Sequence, residues 1–491
     1  MQISAVFILI SLKTFTIFFL VLITYLSNAA AQSSQDFRQQ EFVKGQGEPT
    51  VNDSKLQVQV VTSGLEAPTS IDFIAPNDIL VLEKDKGTVM RVINGKVSST
   101  PLLDVNVANS VERCMCGIAI SKNESRTYVF LYYTEIDGSD GDDRKGKQPG
   151  GNKIYRYELV KDKLVNPVLL IDLPAYPGPR HNGGAIMLGP DQNLYIPIGD
   201  VDGSFKEYNT ESKAQNYNDG VEVDGRAGIL TISQNGQPLK GILGDTFPLR
   251  LYYAYGIRNS FGIDFDPITG NLWDTENGPG INDEINLVEP GFNSGWQEVQ
   301  GLSSNSKEFG PSNLVTFNGK GMYSEPELTW RSTVGPTAIK FLNSDKLGIG
   351  YQNDMFVGDV HNGKIYHFDL SKDRRTLILP PSLTSRIINN PTSPGIQEIT
   401  FGSGFGGITD MSVGPDGYLY VVSIGQGKIF RIIPQQNEIS FANSLNSTAN
   451  IKNMTFQKEK SLSHASSENT TEYKKLPKIS EPPIKNPFSI K

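Results

Sequence analysis

The chain has 491 residues and a formal net charge of −8, from 45 Lys+Arg against 53 Asp+Glu. That balance argues against nucleic acid as a partner, since no basic stripe exists to neutralise phosphates, and its acidic loops suit a hard cation such as calcium. With 48 glycines, 29 prolines and no long amphipathic period, the chain predicts many turns and short strands.

Residues 1–31 read as an address rather than as part of the fold. The apolar runs Ile3–Leu12 and Thr14–Leu26 flank Lys13 and end at Ala29-x-Ala31, a signal-peptidase pattern. The run is also long enough to span a bilayer, so a cleaved signal peptide and a retained membrane anchor both stay open. Either way the globular part is expected to be exported, to an extracellular, periplasmic or cell-surface location. Residues 32–54 read as a polar linker without structure.

The folded part spans 55–434 and opens with the alternating strand Leu56–Thr62. From there one unit recurs: a turn, an alternating strand, a short loop, then a second strand of the type Gly-Lys-Ile-Tyr-Arg. Asp78-Ile-Leu-Val-Leu with Gly87-Thr-Val-Met-Arg, Gly189-Pro-Asp-Gln-Asn-Leu-Tyr-Ile, and Gly414-Pro-Asp-Gly-Tyr-Leu-Tyr-Val with Gly427-Lys-Ile-Phe-Arg are three copies. Six copies at irregular spacing predict an all-β fold, a six-bladed β-propeller, because a strand pair cannot bury both of its faces alone. The strand near residue 56 is placed to complete the last blade. Insertions at 136–151, 202–225 and 300–325 are expected to emerge as loops at one end. Residues 435–491 are rich in Asn, Ser, Thr, Lys and Glu and read as a disordered tail.

Several positions carry candidate chemistry. Cys114 and Cys116 are read as two buried thiols, because a bridge across one residue needs strained geometry. His181 stands in a glycine-rich turn, and the strand that follows ends at Asp200. A histidine and an acid so placed suit a general base whose tautomer a carboxylate fixes. Arg258 and Asn259 offer guanidinium and amide donors suited to an oxygen that gains negative charge. Asp283 and Glu284, with Asn282, Asn286, Asn293 and Ser294, form an oxygen-rich set of the kind calcium takes. No zinc-ligand cluster, Gly-x-Ser-x-Gly elbow or βαβ glycine fingerprint is present.

In order along the chain, Arg113-x-x-x-Gly117, His181-Asn-Gly-Gly, Tyr195-Ile-Pro-Ile-Gly-Asp200, Gly256-Ile-Arg-Asn259, Glu276-Asn-Gly-Pro279, Asp283-Glu-Ile-Asn286 and Gly295-Trp296 resemble the soluble quinoprotein glucose/sorbosone (aldose sugar) dehydrogenases over about 56–434. The resemblance implies a propeller that binds pyrroloquinoline quinone (PQQ) and calcium and oxidises a small-molecule sugar at C1. His181 would be the base, Asp200 its orienting acid, and Arg258 and Asn259 would hold the quinone oxygens. The carbonyls of Gly278 and Pro279, with Asn277 beside them, would serve the cofactor's calcium. Glu284 and the Ser294 carbonyl would serve a second, structural calcium, and Trp330 would be an aromatic wall for the substrate. The electron acceptor is left unnamed. Two departures stand out. His361 stands near where the family carries a lysine, and Gly407-Ile-Thr-Asp410 replaces the family's Arg-x-Arg-Asp, so three cations on the cofactor's carboxylates are missing and His361 and Thr409 are the remaining candidate contacts there. The rival expectation is a propeller that keeps calcium without PQQ, acting as a lactonase-like hydrolase or a sugar-binding exported protein.

Overall fold

Alternating segments with Gly-Pro-Asp or Asn-Gly turns between them form antiparallel strands, and their pairing sets the architecture. In the computed structural model, residues 47–138, 142–201, 211–305 and 311–435 are described. The expected signal or anchor segment, most of the linker and the tail lie outside them. Among the described residues, no helix is long and apolar enough to cross a membrane.

Six separate sheets follow one another along the chain. The first contains Pro68–Ala75, Asp78–Glu83, Thr88–Ile93 and Lys96–Val97. The second contains Met115–Lys122, Thr127–Glu135, Gly151–Val160 and Lys163–Leu173. The third begins at Met187–Leu188, Leu194–Ile198, Gly228–Ile232 and Tyr252–Tyr255. The fourth runs Ser260–Phe265, Leu272–Glu276, Asp283–Val288 and Leu328–Trp330. The fifth runs Pro336–Phe341, Met355–Asp359, Ile365–Leu370 and Thr400–Ser403. In the sixth, Ile408–Val413, Leu419–Ser423 and Lys428–Pro434 are joined by Leu56–Ser63 from the start of the fold. Thr50–Val51, inside the expected linker, instead pairs with Gly402 and Ser403 of the fifth sheet.

The core sits between the sheets. Six hydrophobic clusters each draw on two consecutive sheets. Leu80 and Val89 pack with Ile118 and Leu131, and Phe130 and Ile154 pack with Ile196 and Leu230. The last cluster joins Tyr420, Val422 and Ile429 of the sixth sheet to Ile71, Phe73 and Val81 of the first. The sheets therefore bury both faces on one another around a closed ring, an all-β propeller.

Aspartates on the innermost strands staple neighbouring sheets together. Asp72 accepts from the Ile120 N–H at 2.7 Å, Asp264 from the Phe341 N–H at 2.7 Å, and Asp410 from the Ile71 N–H at 2.8 Å. Asp410 is thus spent on holding the sixth sheet to the first. Burial pushes the Asp72 and Asp410 carboxyls up to about 6, against the pull of these hydrogen bonds and of Lys340.

A raised carboxyl pKa means that the folded protein holds protons which the unfolded chain releases. The stability contributed by Asp72 and Asp410 is therefore complete below about pH 4 and is lost as pH rises through about 6. Asp410→Asn keeps an acceptor for the Ile71 N–H and the Ser70 hydroxyl but carries no charge. Its melting temperature relative to the wild type should improve between pH 4.5 and pH 7.5; an unchanged difference would refute this reading.

Candidate active site

In antiparallel four-stranded sheets arranged this way, the connections between sheets and the hairpins between second and third strands emerge at the same end. Those segments line a cavity of about 1250 Å³ that includes His181, Arg258, Asn259, Asn277, Gly278, Pro279, His361 and Thr409. Eight residues singled out in the sequence thus share one cavity.

His181 is held from three sides. Its left-handed backbone (φ 58°) follows Arg180, and its N–H donates to Glu112 Oε2 at 2.5 Å. Its Nδ1 lies 2.6 Å from Asp200 Oδ1. Asp200 is fully buried and also accepts from the Trp296 indole N–H at 2.9 Å. A carboxylate on Nδ1 selects the Nδ1–H tautomer and leaves Nε2 as the basic nitrogen. Gly199 makes the pairing possible: a Cβ there would lie 2.8 Å from His181 Cβ and 2.3 Å from the Arg258 carbonyl.

Arg258 donates to the Asn277 carbonyl at 2.6 Å, and its N–H donates to Glu276 Oε1 at 2.6 Å. Its guanidinium lies over the Trp296 ring at 5.4 Å, a cation–π contact. Burial lowers its pKa from the usual arginine value. The Nε of Arg258, Oδ1 of Asn259 and Oδ1 of Asn277 are buried without hydrogen-bond partners. Orphaned polar atoms beside a cavity are costly unless a ligand meets them, so this wall fits a ligand that accepts from Arg258 Nε and brings hydroxyl donors or a cation to the two amide oxygens.

The loop carrying Gly278 and Pro279 is fixed by Asp283, which accepts from the Gly278 N–H at 2.8 Å and from the Val334 and Gly335 N–H groups at 2.7 and 2.8 Å. On the facing side His361 lies against Gly335. The Thr409 hydroxyl donates to the Pro68 carbonyl at 3.0 Å, so its proton is already committed.

Glu284 and Ser294 are placed away from this cavity, on a buried carboxylate face. Glu276 stands directly opposite Glu284, and Asp274 opposite Asn286. Like charges so placed repel. Ser294 Oγ donates to Glu276 at 2.6 Å and the Gly301 N–H donates to Glu284 at 2.6 Å. Both Asp274 oxygens lack a hydrogen bond of ordinary geometry, and Asn286 Oδ1 is also unpartnered; Asn286 and Ser260 lie close to Asp274. Burial pushes Glu276 up to about 7 and lifts Asp274 and Glu284 well above the usual carboxylate range. Among the described residues, none of the three forms an ion pair. Three buried carboxylates, with the unpartnered oxygens of Asp274 and Asn286 between them, are a donor set that fits a hard divalent cation. Asn282 and Asn293 are not in it: they donate to the Gln300 carbonyl and to Asn216.

Two expectations are corrected. Trp330 is fully buried between the fourth and fifth sheets, with its ring 5.4 Å from Tyr366. It lies on the fourth strand of its sheet, remote from the innermost strands, and lines no part of the cavity. Cys114 and Cys116 form a disulfide, not two thiols, with Cα atoms 5.0 Å apart. Alternate residues of a strand already share a face, and a register shift between Met115 and Gly117 shortens the chain between the two cysteines, which both line the cavity. Glu112 and Arg180 also line the cavity and were not singled out from sequence; neither sits in a motif with a recognisable spacing.

The model of the glucose/sorbosone dehydrogenase family matches residues 65–431. The chain belongs to this family. It is an oxidoreductase of the sugar dehydrogenase type. It is 23% identical over 384 residues to the aldose sugar dehydrogenase of Escherichia coli, covering 77% of this chain and 93% of that one. It is 27% identical over 260 residues to quinoprotein glucose dehydrogenase B of Acinetobacter calcoaceticus, covering 50% and 54%. Among solved structures, the PQQ-bound aldose sugar dehydrogenase of Streptomyces coelicolor superposes with a TM-score of 0.54 at 22% identity, covering 78% of this chain and 99% of that one. The apo-form of the Escherichia coli enzyme gives 0.57 at 19% identity, covering 77% and 100%. At these identities the likeness of structures concerns the fold.

Because Trp330 is a core residue, Trp330→Phe should lower the melting temperature while leaving KM for sugar unchanged, and full truncation to alanine should cost about 3–5 kcal/mol. A changed KM in a variant of unaltered stability would restore Trp330 to the substrate site.

Proposed function

We propose that the protein oxidises an aldose at C1 with PQQ and calcium, using His181 as the base. The observation that carries this reading is the His181–Asp200 pair on the same cavity wall as the orphaned polar atoms of Arg258, Asn259 and Asn277. PQQ, when bound, supplies the acceptor for the hydride from C1. His181 Nε2 takes the proton of the C1 hydroxyl, and the electron pair of that O–H bond becomes available to the forming C=O bond. Asp200 keeps the imidazole oriented and stabilises it once protonated. Arg258, held by Asn277 and Trp296, presents fixed positive charge to an oxygen that becomes anionic. Asn259 and Asn277 offer further polar contacts, and His361 and Thr409 close the opposite side. The Gly278 and Pro279 carbonyls would hold a calcium ion beside the cofactor, and Glu284 and the Ser294 carbonyl a second one, with Asp274 and Glu276 beside it. Each of the six sheets is taken as one blade. Export through the N-terminal segment, cleaved or retained, is supported by the Cys114–Cys116 disulfide, which suits an oxidising compartment.

Reconstitution tests the reading. Purified protein given PQQ and calcium should acquire the cofactor's absorbance and reduce a dye with aldoses, and absence of binding at micromolar PQQ would refute it. Asp200→Asn should bind PQQ as the wild type does yet lose about 10³–10⁴-fold in kcat, the order seen when a base loses its orienting acid.

The carboxylate face predicts a separate response to calcium. Chelation should lower the melting temperature by several degrees, as expected when a ligand bound only by the folded state is withdrawn. Glu284→Gln should stabilise the chelated protein by relieving repulsion and remove most of the calcium-dependent gain. An equal calcium effect in wild type and variant would place the ion elsewhere.

A further inference from the structure

The family resemblance places cations where this chain has His361 and Thr409, yet five lysines and arginines line the cavity. Four of them are committed within the protein. Lys84 donates to Asp85 at 2.9 Å and to the carbonyls of Asn109 and Arg113. Arg144 pairs with the same Asp85 at 3.2 Å. Lys340 pairs with Asp264 at 2.9 Å, and Arg258 is bound to the Asn277 carbonyl.

Arg180 differs. Among the described residues its guanidinium has no hydrogen-bond or ion-pair partner, although the residue is half-buried and lines the cavity. Its backbone is rigid, because its carbonyl accepts from Asn182 Nδ2 at 3.0 Å and the next residue is His181, anchored by Glu112 and Asp200. A partly desolvated guanidinium on a fixed backbone and without an ion-pair partner gains most from an anion brought into the cavity. The planar fork suits a carboxylate, which it can grip with two parallel hydrogen bonds.

We infer that Arg180 is the carboxylate anchor of the cavity, gripping the anionic end of the bound ligand beside the His181 base. The inference rests on the proposed dehydrogenase reading in one respect: the carboxylate belongs either to PQQ or to an acidic sugar substrate. Arg180 thereby offsets, from the His181 wall, the cations missing on the His361 wall.

The test uses the full chain with calcium, in wild type and Arg180→Gln. PQQ affinity is measured by fluorescence titration, and glucuronate and glucose binding by calorimetry. Loss of one charge-assisted contact should weaken the affected ligand about 10- to 100-fold. Weakened PQQ binding assigns the carboxylate to the cofactor. Unchanged PQQ binding with weakened glucuronate and unaltered glucose binding assigns it to the substrate. Arg180→Lys should recover part of either loss, which a steric effect would not produce. If wild-type protein binds no PQQ, the dehydrogenase reading fails, and Arg180 is then judged on glucuronate alone. Equal affinities of wild type and Arg180→Gln for PQQ and for glucuronate would overturn the inference, as would failure of wild type to bind either. Since Arg180 has no partner to lose, Arg180→Gln should fold with an unchanged melting temperature, and a marked drop would also count against it.

Discussion

Everything in this molecule depends on the pairing of its first long strand with its last. Leu56–Ser63 runs antiparallel to Lys428–Pro434, so the two ends of the fold meet within one sheet. No sheet here can bury both faces alone, and an open array would leave two apolar faces in water. Closure lets the Tyr420–Val422–Ile429 surface find Ile71 and Phe73. It also draws the innermost strands together, where Asp72, Asp264 and Asp410 each take an N–H from the next sheet. The cavity exists because the loops above those strands are forced to face one another.

That geometry divides labour within single hairpins. In the fourth sheet, the turn at Asp266–Gly270 lies at one end, while Arg258 and Glu276 lie at the other. Glu276 points away from the cavity, into the carboxylate face, yet accepts from the Arg258 N–H. A cation bound at Asp274, Glu276 and Glu284 would therefore be coupled to the position of Arg258 through one hydrogen bond. His181 and Arg258 are coupled in the same way through Gly199, Asp200 and Trp296. His181 and Arg258 are fixed because each is held by a backbone group or a buried acid.

Much of this was legible in the sequence, since strand alternation and turn residues are local signals. The motifs around His181, Asp200, Arg258 and Asn277 could be recognised because glycines and prolines mark where the backbone must approach closely. Glu112 could not: its partners His181 and Asn259 lie 69 and 147 residues away, and nothing local distinguishes it from a solvated glutamate. The resemblance misplaces Trp330 because an aromatic in a short strand carries no mark of its distance from the axis, and Trp330 lies on the fourth strand of its sheet. The disulfide was missed because regular strand spacing keeps alternate residues apart, whereas the bulge at Met115–Gly117 is visible only in the pairing. The three facing carboxylates were only half seen, since Asp274 and Glu276 join Glu284 only across the strand register.

On the proposed dehydrogenase reading, the His181 wall performs base chemistry on a sugar held in this cavity. The most direct measurement mixes calcium- and PQQ-loaded protein with aldose in the absence of any external acceptor and follows the cofactor's absorbance through a single turnover. The wild type should show rapid conversion to the reduced spectrum, while His181→Ala should bind the cofactor equally and convert at least about 10²-fold more slowly, as for loss of a general base. Equal rates in the two proteins, or a bound cofactor that no aldose reduces, would contradict the account.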